Sequence, residues 1–400
     1  SKDSPLDVRI MTYNTHGSFI ADSGTDASFN RIFVAMQPDI ICFEEIASSV
    51  TASAVAARLN TIMPIGGSGW QIHFGILGGT RNAIASRYPL TLTRTDTIPE
   101  SSTRGVTIAL ADLPNTDYAL DVYLLGVHLK CCGNPGGSED ASRQRSADAI
   151  ANWLGDARGA ARPSGNNIVL PADTPIIVLG DFNLVGGPQP ETTLITGDIQ
   201  NEGAFGPDVK GDWDNTNLLN INPLDPFTGS NITWQSNGSF PSSNLDRMMV
   251  TDSAFNIANS FVLNTSTMTP AALAAAGLQS GDTLTSNSSD HLPIMVDLRI
   301  ADPCSTDSDS DGTPDCSDAC ANDPLRIAPG VCGCGVSVSL QGTGDVNGDL
   351  TVDGQDIAAF ADELLFSSAP GLAACAADVN LDGMVGDSDI GPFASLLAGP

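Results

Sequence analysis

Basic side chains are scarce in this chain: 17 Lys and Arg stand against 47 Asp and Glu over 400 residues, a formal net charge of −30. A surface this acidic repels bare nucleic acid unless cations intervene, which argues against a tight, sequence-specific DNA binder. Long apolar runs are missing too. No stretch of eighteen apolar residues occurs, so no transmembrane helix is expected. The opening SKDSPLDVRIMTYN contains no apolar leader; either the protein is cytosolic or a signal peptide has been removed, and the cysteines of the last hundred residues favour the second, a secreted protein. Aromatic residues are few, 14 Phe, 4 Trp and 4 Tyr, and fall mostly in core-like runs. No exposed aromatic hairpin of the kind that grips a membrane is evident. The first 300 residues hold only Cys42, Cys131 and Cys132, with no Cys/His spacing suited to zinc.

What is present is unevenly spread. Cys304, Cys316, Cys320, Cys332, Cys334 and Cys375 crowd the last hundred residues, which suits an oxidising compartment, and the sequence leaves their pairing open. Those hundred residues carry 17 acids and one base, Arg326, whereas the first 300 carry 30 acids and 16 bases. Asp outnumbers Glu by 40 to 7. Asp is a poor helix former but a good turn residue and calcium ligand.

Residues 1–300 alternate strand-like and helix-like stretches. DVRIMTYN, DIICFEE, NAIASRY, TIALADL, LDVYLLGVHL, TPIIVLGDFN, LDRMMVTD and LPIMVDLRI are short, apolar and flanked by turn residues. DASFNRIFVAMQ, SVTASAVAARLNTIM and SEDASRQRSADAIANWLGDAR read as helices, the last with Ala147, Ile150, Ala151 and Leu154 on one face. Strands packed between helices predict a layered α/β domain. Beyond Ile300, residues 301–340 are Cys- and Asp-rich, and their start, DPCSTDSDSDGTPDCSDACANDP, has too few apolar residues for a core. Residues 341–400 contain an internal repeat at an offset of 33: Asp345 begins one copy and Asp378 the next, and Ile357, Phe360 and Leu364 map onto Ile390, Phe393 and Leu397.

The strand-like runs share a feature where they meet polar loops. In order they present Asn14, Glu44 and Glu45, His128, Asp181 and Asn183, Asp246, then Asp290 and His291. Carboxylates and amide oxygens gathered on one rim suit a hard cation such as Mg²⁺, Mn²⁺ or Ca²⁺. Histidines beside such an ion serve proton transfer and charge neutralisation. A vicinal pair, Cys131–Cys132, follows His128; two thiols or a vicinal disulfide both fit the sequence.

TYN, PDIICFEEI, NAIASRYPL, GVHLK, GDFN, LDRMMV and SDHLPI, in this order over residues 7–300, resemble the endonuclease/exonuclease/phosphatase superfamily. Its members include pancreatic-type deoxyribonuclease, abasic-site endonucleases, bacterial sphingomyelinases and inositol polyphosphate phosphatases. The resemblance implies a four-layered α/β/β/α sandwich. It implies Glu45 as the principal metal ligand with Asn14 adjacent, and Asp290 as a further metal-side carboxylate. Asp181 would align or activate the attacking water, and Asn183 would orient it or the phosphate. His291 would be the catalytic histidine, with Asp246 fixing its tautomer, and His128 would contact the phosphate or help the leaving group. Glu44 departs from the family's usual glutamine, and His16 stands where relatives place an acid or arginine.

In the tail, DSDSDGTPDCSDAC resembles a thrombospondin type 3 repeat, with Asp307, Asp309, Asp311 and Asp315 as calcium ligands. The paired repeat resembles dockerin-type EF-hand loops. Asp345, Asn347, Asp349, Thr351 (through its backbone), Asp353 and Asp356 would bind one Ca²⁺; Asp378, Asn380, Asp382, Met384 (backbone) and Asp389 would bind another. Leu350 replaces the usual bend glycine; Gly383 keeps it. Dockerins attach enzymes to scaffold proteins, so a cohesin-like or matrix partner is one expectation and self-assembly another. The leading expectation is a secreted, divalent-metal phosphodiesterase, a nuclease of low sequence specificity. A phospholipase C or sphingomyelinase-like activity and a structural, self-assembling role are the alternatives.

Overall fold

The computed structural model describes residues 2–76, 80–98, 101–163, 168–236, 238, 240–284, 286–300, 308–313, 318–324, 326–329, 331–335, 340–366 and 370–399. The chain divides into two compact units, Ser1–Ala301 and Asp302–Pro400.

The larger unit is a mixed α/β fold with two six-stranded sheets. The first sheet contains β1 (Val8–Asn14), β2 (Ile40–Ala47), β3 (Gln71–Phe74), β4 (Thr80–Ser86), β11 (Phe255–Val262) and β12 (Ile294–Ile300). The second contains β5 (Leu90–Ile98), β6 (Ser101–Ala111), β7 (Val122–His128), β8 (Ile176–Asp181), β9 (Leu219–Ile221) and β10 (Asp246–Val250). The strand orders are β11-β12-β1-β2-β4-β3 and β5-β6-β7-β8-β10-β9. β1 runs parallel to β2, and β7 parallel to β8; their other ladders are antiparallel.

Alternation along each strand assigns its side chains to one of two faces. Val8 and Ile10 of β1, Ile40 and Cys42 of β2, Leu124 of β7, Ile177 and Leu179 of β8, Met248 of β10 and Val296 of β12 form one buried cluster between the sheets. The intervening residues face outward. Met11, Tyr13, Ile41 and Phe43 pack with α1 (Asp26–Met36), α2 (Ala52–Ile62) and α6 (Pro270–Ala276). Tyr123, Leu125, Val127 and Val178 pack with α3 (Ser138–Ala157) and α4 (Gln189–Thr196). Helices therefore cover the outer face of each sheet. A short helix, α5 (Glu202–Phe205), also belongs to this unit.

The sheets approach closely near one end. A Cβ at Gly126 would lie 2.6 Å from the Cys42 sulfur of the facing sheet. Gly180 adopts φ +138°, and a Cβ there would fall on the Val127 carbonyl oxygen and 3.0 Å from Glu44 Oε1. Only glycine fits that geometry.

The smaller unit holds α7 (Asp356–Phe366), α8 (Leu372–Ala377) and α9 (Asp387–Ala398). Phe360 and Phe393, equivalent in the repeat, stack on each other with centroids 4.0 Å apart. Around them Val346, Ala376 and Ala377 make a small core. Disulfides join Cys320 to Cys334 and Cys332 to Cys375. Cys304, Cys316, Asp307 and Asp315 lie outside the described residues. No helix among the described residues is long and apolar enough to cross a membrane.

Candidate active site

The inter-sheet face that carries Ile10, Cys42, Leu124, Leu179 and Met248 turns polar at one end. Continuing the same alternation, β1 presents Thr12 and Asn14, β2 Glu44, β7 His128, β8 Asp181 and β10 Asp246. Register lines them up: Asn14 pairs with Glu44, His128 with Asp181, and Asp181 with Asp246. Polar residues at these positions sit at strand ends between two sheets, so they meet across the gap. Asn14 Nδ2 donates to Asp181 Oδ2 at 3.1 Å from the opposite sheet.

Glu45 breaks the alternation. As the neighbour of Glu44 it should face the helices with Phe43. A register shift between Phe43 and Ile46, with Glu45 at φ 55°, turns it into the site instead. Its Oε1 lies 3.6 Å from His128 Nε2. A bulge that re-aims a side chain is a recurrent device beside functional sites. His16 (φ 50°) and Asn183 (φ 48°) are also left-handed. Three non-glycine residues in this region at one site mark backbone held against its own preference.

His291 Nδ1 lies 2.8 Å from Asp246 Oδ2, and its Nε2 is 3.8 Å from Asp181 Oδ2. His128 Nε2 lies 3.4 Å from the same oxygen. Asp181 Oδ1 accepts from the Asn183 backbone N–H at 3.0 Å, while Asn183 Nδ2 donates to the Leu129 carbonyl at 3.4 Å. Asp290 has both oxygens engaged: Oδ1 with His16 Nδ1 at 2.8 Å and Oδ2 with Trp234 Nε1 at 3.0 Å. A cation approaching Asp290 would have to displace or share those N–H donors. Ser289 ties this segment to β1 by donating to the Asn14 carbonyl and accepting from the His291 N–H.

Burial sets the electrostatics. Burial and the nearby Asp246 raise the Asp181 carboxyl to about 7, against the pull of His291. Burial draws the His291 imidazole down, but Asp246, Asp181 and Asp290 outweigh it and push it up to about 10. Glu44, fully buried, is held well above the ordinary carboxylate range by burial and by Asp246. Burial opposes ionisation of Asp290, yet His16, His291 and Trp234 keep its carboxyl below the ordinary value.

The donor set suits a hard divalent cation. Carboxylates dominate, and Glu44 Oε2 and Asp246 Oδ1 are buried without a hydrogen-bond partner. Ligand atoms of Asp181, Asp246 and His291 all lie within 4.8 Å of one another. A cation held at Glu45, whose charge also bears on Asp181, would relieve part of the repulsion that raises Asp181.

The structure thus brings Asn14, Glu45, His128, Asp181, Asn183, Asp246, Asp290 and His291 to one end of the sheets. Sequence reasoning passed over Thr12, which donates to Glu44 Oε1 at 2.9 Å, and Trp234, whose indole holds Asp290. No local signal marks Trp234. Thr12, two residues before Asn14 on an alternating strand, could have been found.

In the smaller unit the two repeat loops have matching wiring. Asp345 accepts from the backbone N–H groups of Gly348, Asp349 and Leu350. Asp356 accepts from Asn347 and Asp353. Asp378 likewise accepts from Asp382 and Gly383, and Asp389 from Asn380 and Gly386. Leu350, at the missing bend glycine, adopts φ 71°. Asp349 and Asp382 turn toward Asn347 and Asn380, and Asp353 caps the start of α7 through the Gln355 N–H. Thr351 and Met384 donate their backbone N–H groups to Asp349 and Asp382. Asp378, Asp382 and Asp389 cluster tightly enough to share one ion. Asp309 and Asp311 gather with Asp318, a residue the sequence reading did not include.

Residues 11–291 match the sequence profile of the Endonuclease/Exonuclease/phosphatase family. Similar solved structures include D. rerio TDP2 complexed with single-strand DNA product, at 14% identity and TM-score 0.46, covering 73% of this chain and 99% of that one. Another is ANGEL2, a 2',3'-cyclic phosphatase, in complex with adenosine-2',3'-vanadate, at 14% identity and TM-score 0.49, covering 75% and 97%. A third is the human Nocturnin catalytic domain with bound sulfate, at 16% identity and TM-score 0.47, covering 75% and 96%. No curated protein matches the chain.

Proposed function

The chain belongs to the endonuclease/exonuclease/phosphatase family, and from that premise we propose that it is a secreted, divalent-metal-dependent phosphodiesterase, a nuclease of low sequence specificity. The observation that carries this reading is the convergence of Glu45, His128, Asp181, Asp246 and His291 between the sheet ends.

A phosphodiester is anionic and repels a nucleophile. Glu45 with Asn14 would hold a Mg²⁺ or Mn²⁺ ion, with Asp290, bonded to His16 and Trp234, as a further metal-side carboxylate. Bound there, the ion supplies charge neutralisation at the phosphate and at the leaving oxygen. Asp181, buried between His128 and His291, would take a proton from a water held in line. Asn183 orients that water or the phosphate. His291 is held by Asp246 through Nδ1, so its Nε2 faces Asp181 and the reacting phosphate. Raised to about 10, it stays cationic at neutral pH and meets negative charge as it develops. His128 hydrogen-bonds a phosphate oxygen or the leaving group.

One observation favours a second reading, a phospholipase C or sphingomyelinase-like hydrolase. Trp234 pairs with both Ser243 and His291, and Phe240, between Trp234 and Ser243 in sequence, is 64% exposed. An exposed aromatic in the loop that leaves Trp234 suits a lipid surface as well as a nucleobase.

For the tail we propose calcium-binding, dockerin-like loops within residues 341–400 and a calcium segment around Asp309, Asp311 and Asp318. The matched acid-to-backbone wiring supports this. Exposed Leu350, Phe366 and Met384 support docking to a cohesin-like or matrix partner, with self-association as the alternative. The disulfides Cys320–Cys334 and Cys332–Cys375 in the tail support an extracellular site of action.

The test is hydrolysis of single- and double-stranded DNA, RNA, sphingomyelin and bis-para-nitrophenyl phosphate, with Mg²⁺ or Mn²⁺. Cleavage of nucleic acid without sequence preference is expected. Hydrolysis of sphingomyelin alone moves the assignment to the second reading, and hydrolysis of none of them overturns it.

A further inference from the structure

The loop after β7 contains two adjacent thiols that the proposed reaction does not use. Cys131 is half-buried and Cys132 exposed, and neither is in a disulfide. Cys132 is left-handed at φ 67° and is followed by Gly133 at φ 79°. The Cys132 thiol is hydrogen-bonded to Cys131, which helps push it up to about 11.

A buried side chain helps to fasten this loop to the site. Arg143, fully buried in α3, donates from Nη1 to the carbonyls of Lys130 and Cys132, at 2.8 and 2.9 Å. Those carbonyls bracket Cys131. Arg143 Nη2 pairs with Asp140, whose Oδ2 accepts from the N–H groups of Gly136 and Gly187. Gly187 belongs to the loop that begins at Asn183. One residue before Lys130, the Leu129 carbonyl accepts from Asn183 Nδ2. The Asp140–Arg143 pair thus clamps the His128 loop and the Asn183 loop together, with the dithiol inside the clamp.

We propose that Cys131 and Cys132 are a reversible modification site: they close to a disulfide, and closure loosens the Arg143 clamp and unseats Asn183, lowering turnover. Two S–H bonds break and one S–S bond forms. The two protons and two electrons pass to a low-molecular-weight disulfide such as oxidised glutathione, which leaves as two thiols. Adjacent Cα atoms are only about 3.8 Å apart, shorter than the span a relaxed disulfide prefers. The ring therefore closes only if the Cys131–Cys132 peptide reorients, and the two carbonyls held by Arg143 belong to the peptides on either side of it, so that its rotation strains both bonds. A bond formed this way is readily reduced again. Disulfides among the described residues elsewhere in the chain make it compatible with the oxidising conditions that the step needs.

The experiment places the full chain, with calcium present, in buffers of graded oxidised-to-reduced glutathione. Thiols are alkylated before and after reduction, and the peptide containing Cys131 and Cys132 is read by mass. In parallel, amide hydrogen exchange is followed over residues 181–188, along with hydrolysis of bis-para-nitrophenyl phosphate. The expected result is loss of two hydrogens from that peptide at oxidising ratios, faster exchange over residues 181–188, and an approximately tenfold or greater fall in turnover. All three should share one midpoint and reverse on reduction, and Cys131→Ser should show none of them. Two alkylatable thiols at every ratio, or mixed glutathione adducts in place of the ring, overturn the modification. A ring that forms without altering exchange over residues 181–188 overturns the coupling. Both readouts stand whether or not the chain hydrolyses the test phosphodiester.

Discussion

His291 Nδ1 and Asp246 Oδ2 lie 2.8 Å apart although 45 residues separate them in sequence. The contact spans both sheets: Asp246 opens β10, and His291 precedes β12. The bond fixes which imidazole nitrogen faces Asp181. His291→Ala and Asp246→Ala should each lower turnover by roughly 100-fold or more, the scale of losing one electrostatic stabiliser. The double variant should lose little beyond the worse single one, because groups acting as a unit are non-additive. Steady-state kinetics of the three variants decides it; fully multiplicative losses mean that the two do not cooperate.

Asp181 ties stability to pH. Its carboxyl rises from an ordinary 3.8 to about 7 in the folded chain, so folding takes up a proton between those values. Stability from this group therefore falls as pH rises from about 4 through about 7. His291 runs the same way: raised from 6.5 to about 10, it contributes stability that is full below about 6.5 and lost as pH passes about 10. Without metal, Asp181→Asn should be inactive yet more stable than the parent at pH 8, by an amount on the order of a few kcal/mol, and the gain should shrink toward pH 4. Urea unfolding at both pH values measures this; a gain that is independent of pH contradicts it.

Gly180 is fixed by packing. Gly180→Ala places a methyl group on the Val127 carbonyl at a left-handed φ. The expected loss is about 2–4 kcal/mol, from backbone strain and overpacking together. Urea unfolding should show a lower midpoint with unchanged slope. A variant as stable as the parent would mean that the β7–β8 ladder is looser than its register indicates.

The tail should depend on calcium. With 17 acids against one base, residues 301–400 repel themselves, and the stacked Phe360–Phe393 core is small. Chelation should open the tail to protease within residues 340–399 while Ser1–Ala301 stays intact. At least two Ca²⁺ ions should register by calorimetry. A tail equally resistant with and without chelator contradicts the calcium reading.

The eight strands legible in the sequence are the interior ones: β1, β2, β4, β6, β7, β8, β10 and β12. The four it did not reveal, β3, β5, β9 and β11, are the four sheet edges. Edge strands are half-exposed and need no continuous apolar run, so LTLTRTDTI and FNIANSFV carry little signal. The helices α4, α5 and α6, at eight residues or fewer, were too short for a period to emerge. Asn14, His128, Asp181 and Asp246 were legible because each begins or ends an apolar strand. Glu45 was legible by type, but its direction was not, since a bulge decides it. The engagement of Asp290 by His16 and Trp234 joins residues 274 and 56 positions apart, a pairing that only the folded chain creates.

The proposed metal-dependent phosphodiester hydrolysis centres on Glu45. The most direct measurement is the initial rate on bis-para-nitrophenyl phosphate as Mg²⁺ or Mn²⁺ is titrated into the chelated parent and into Glu45→Gln, which keeps the shape and removes the charge. The parent's rate should start near zero, rise and saturate, while the variant at the same metal concentrations stays at least ~100-fold lower with its fold intact. A parent equally active in chelator, or a Glu45→Gln variant that matches it at saturating metal, contradicts the account.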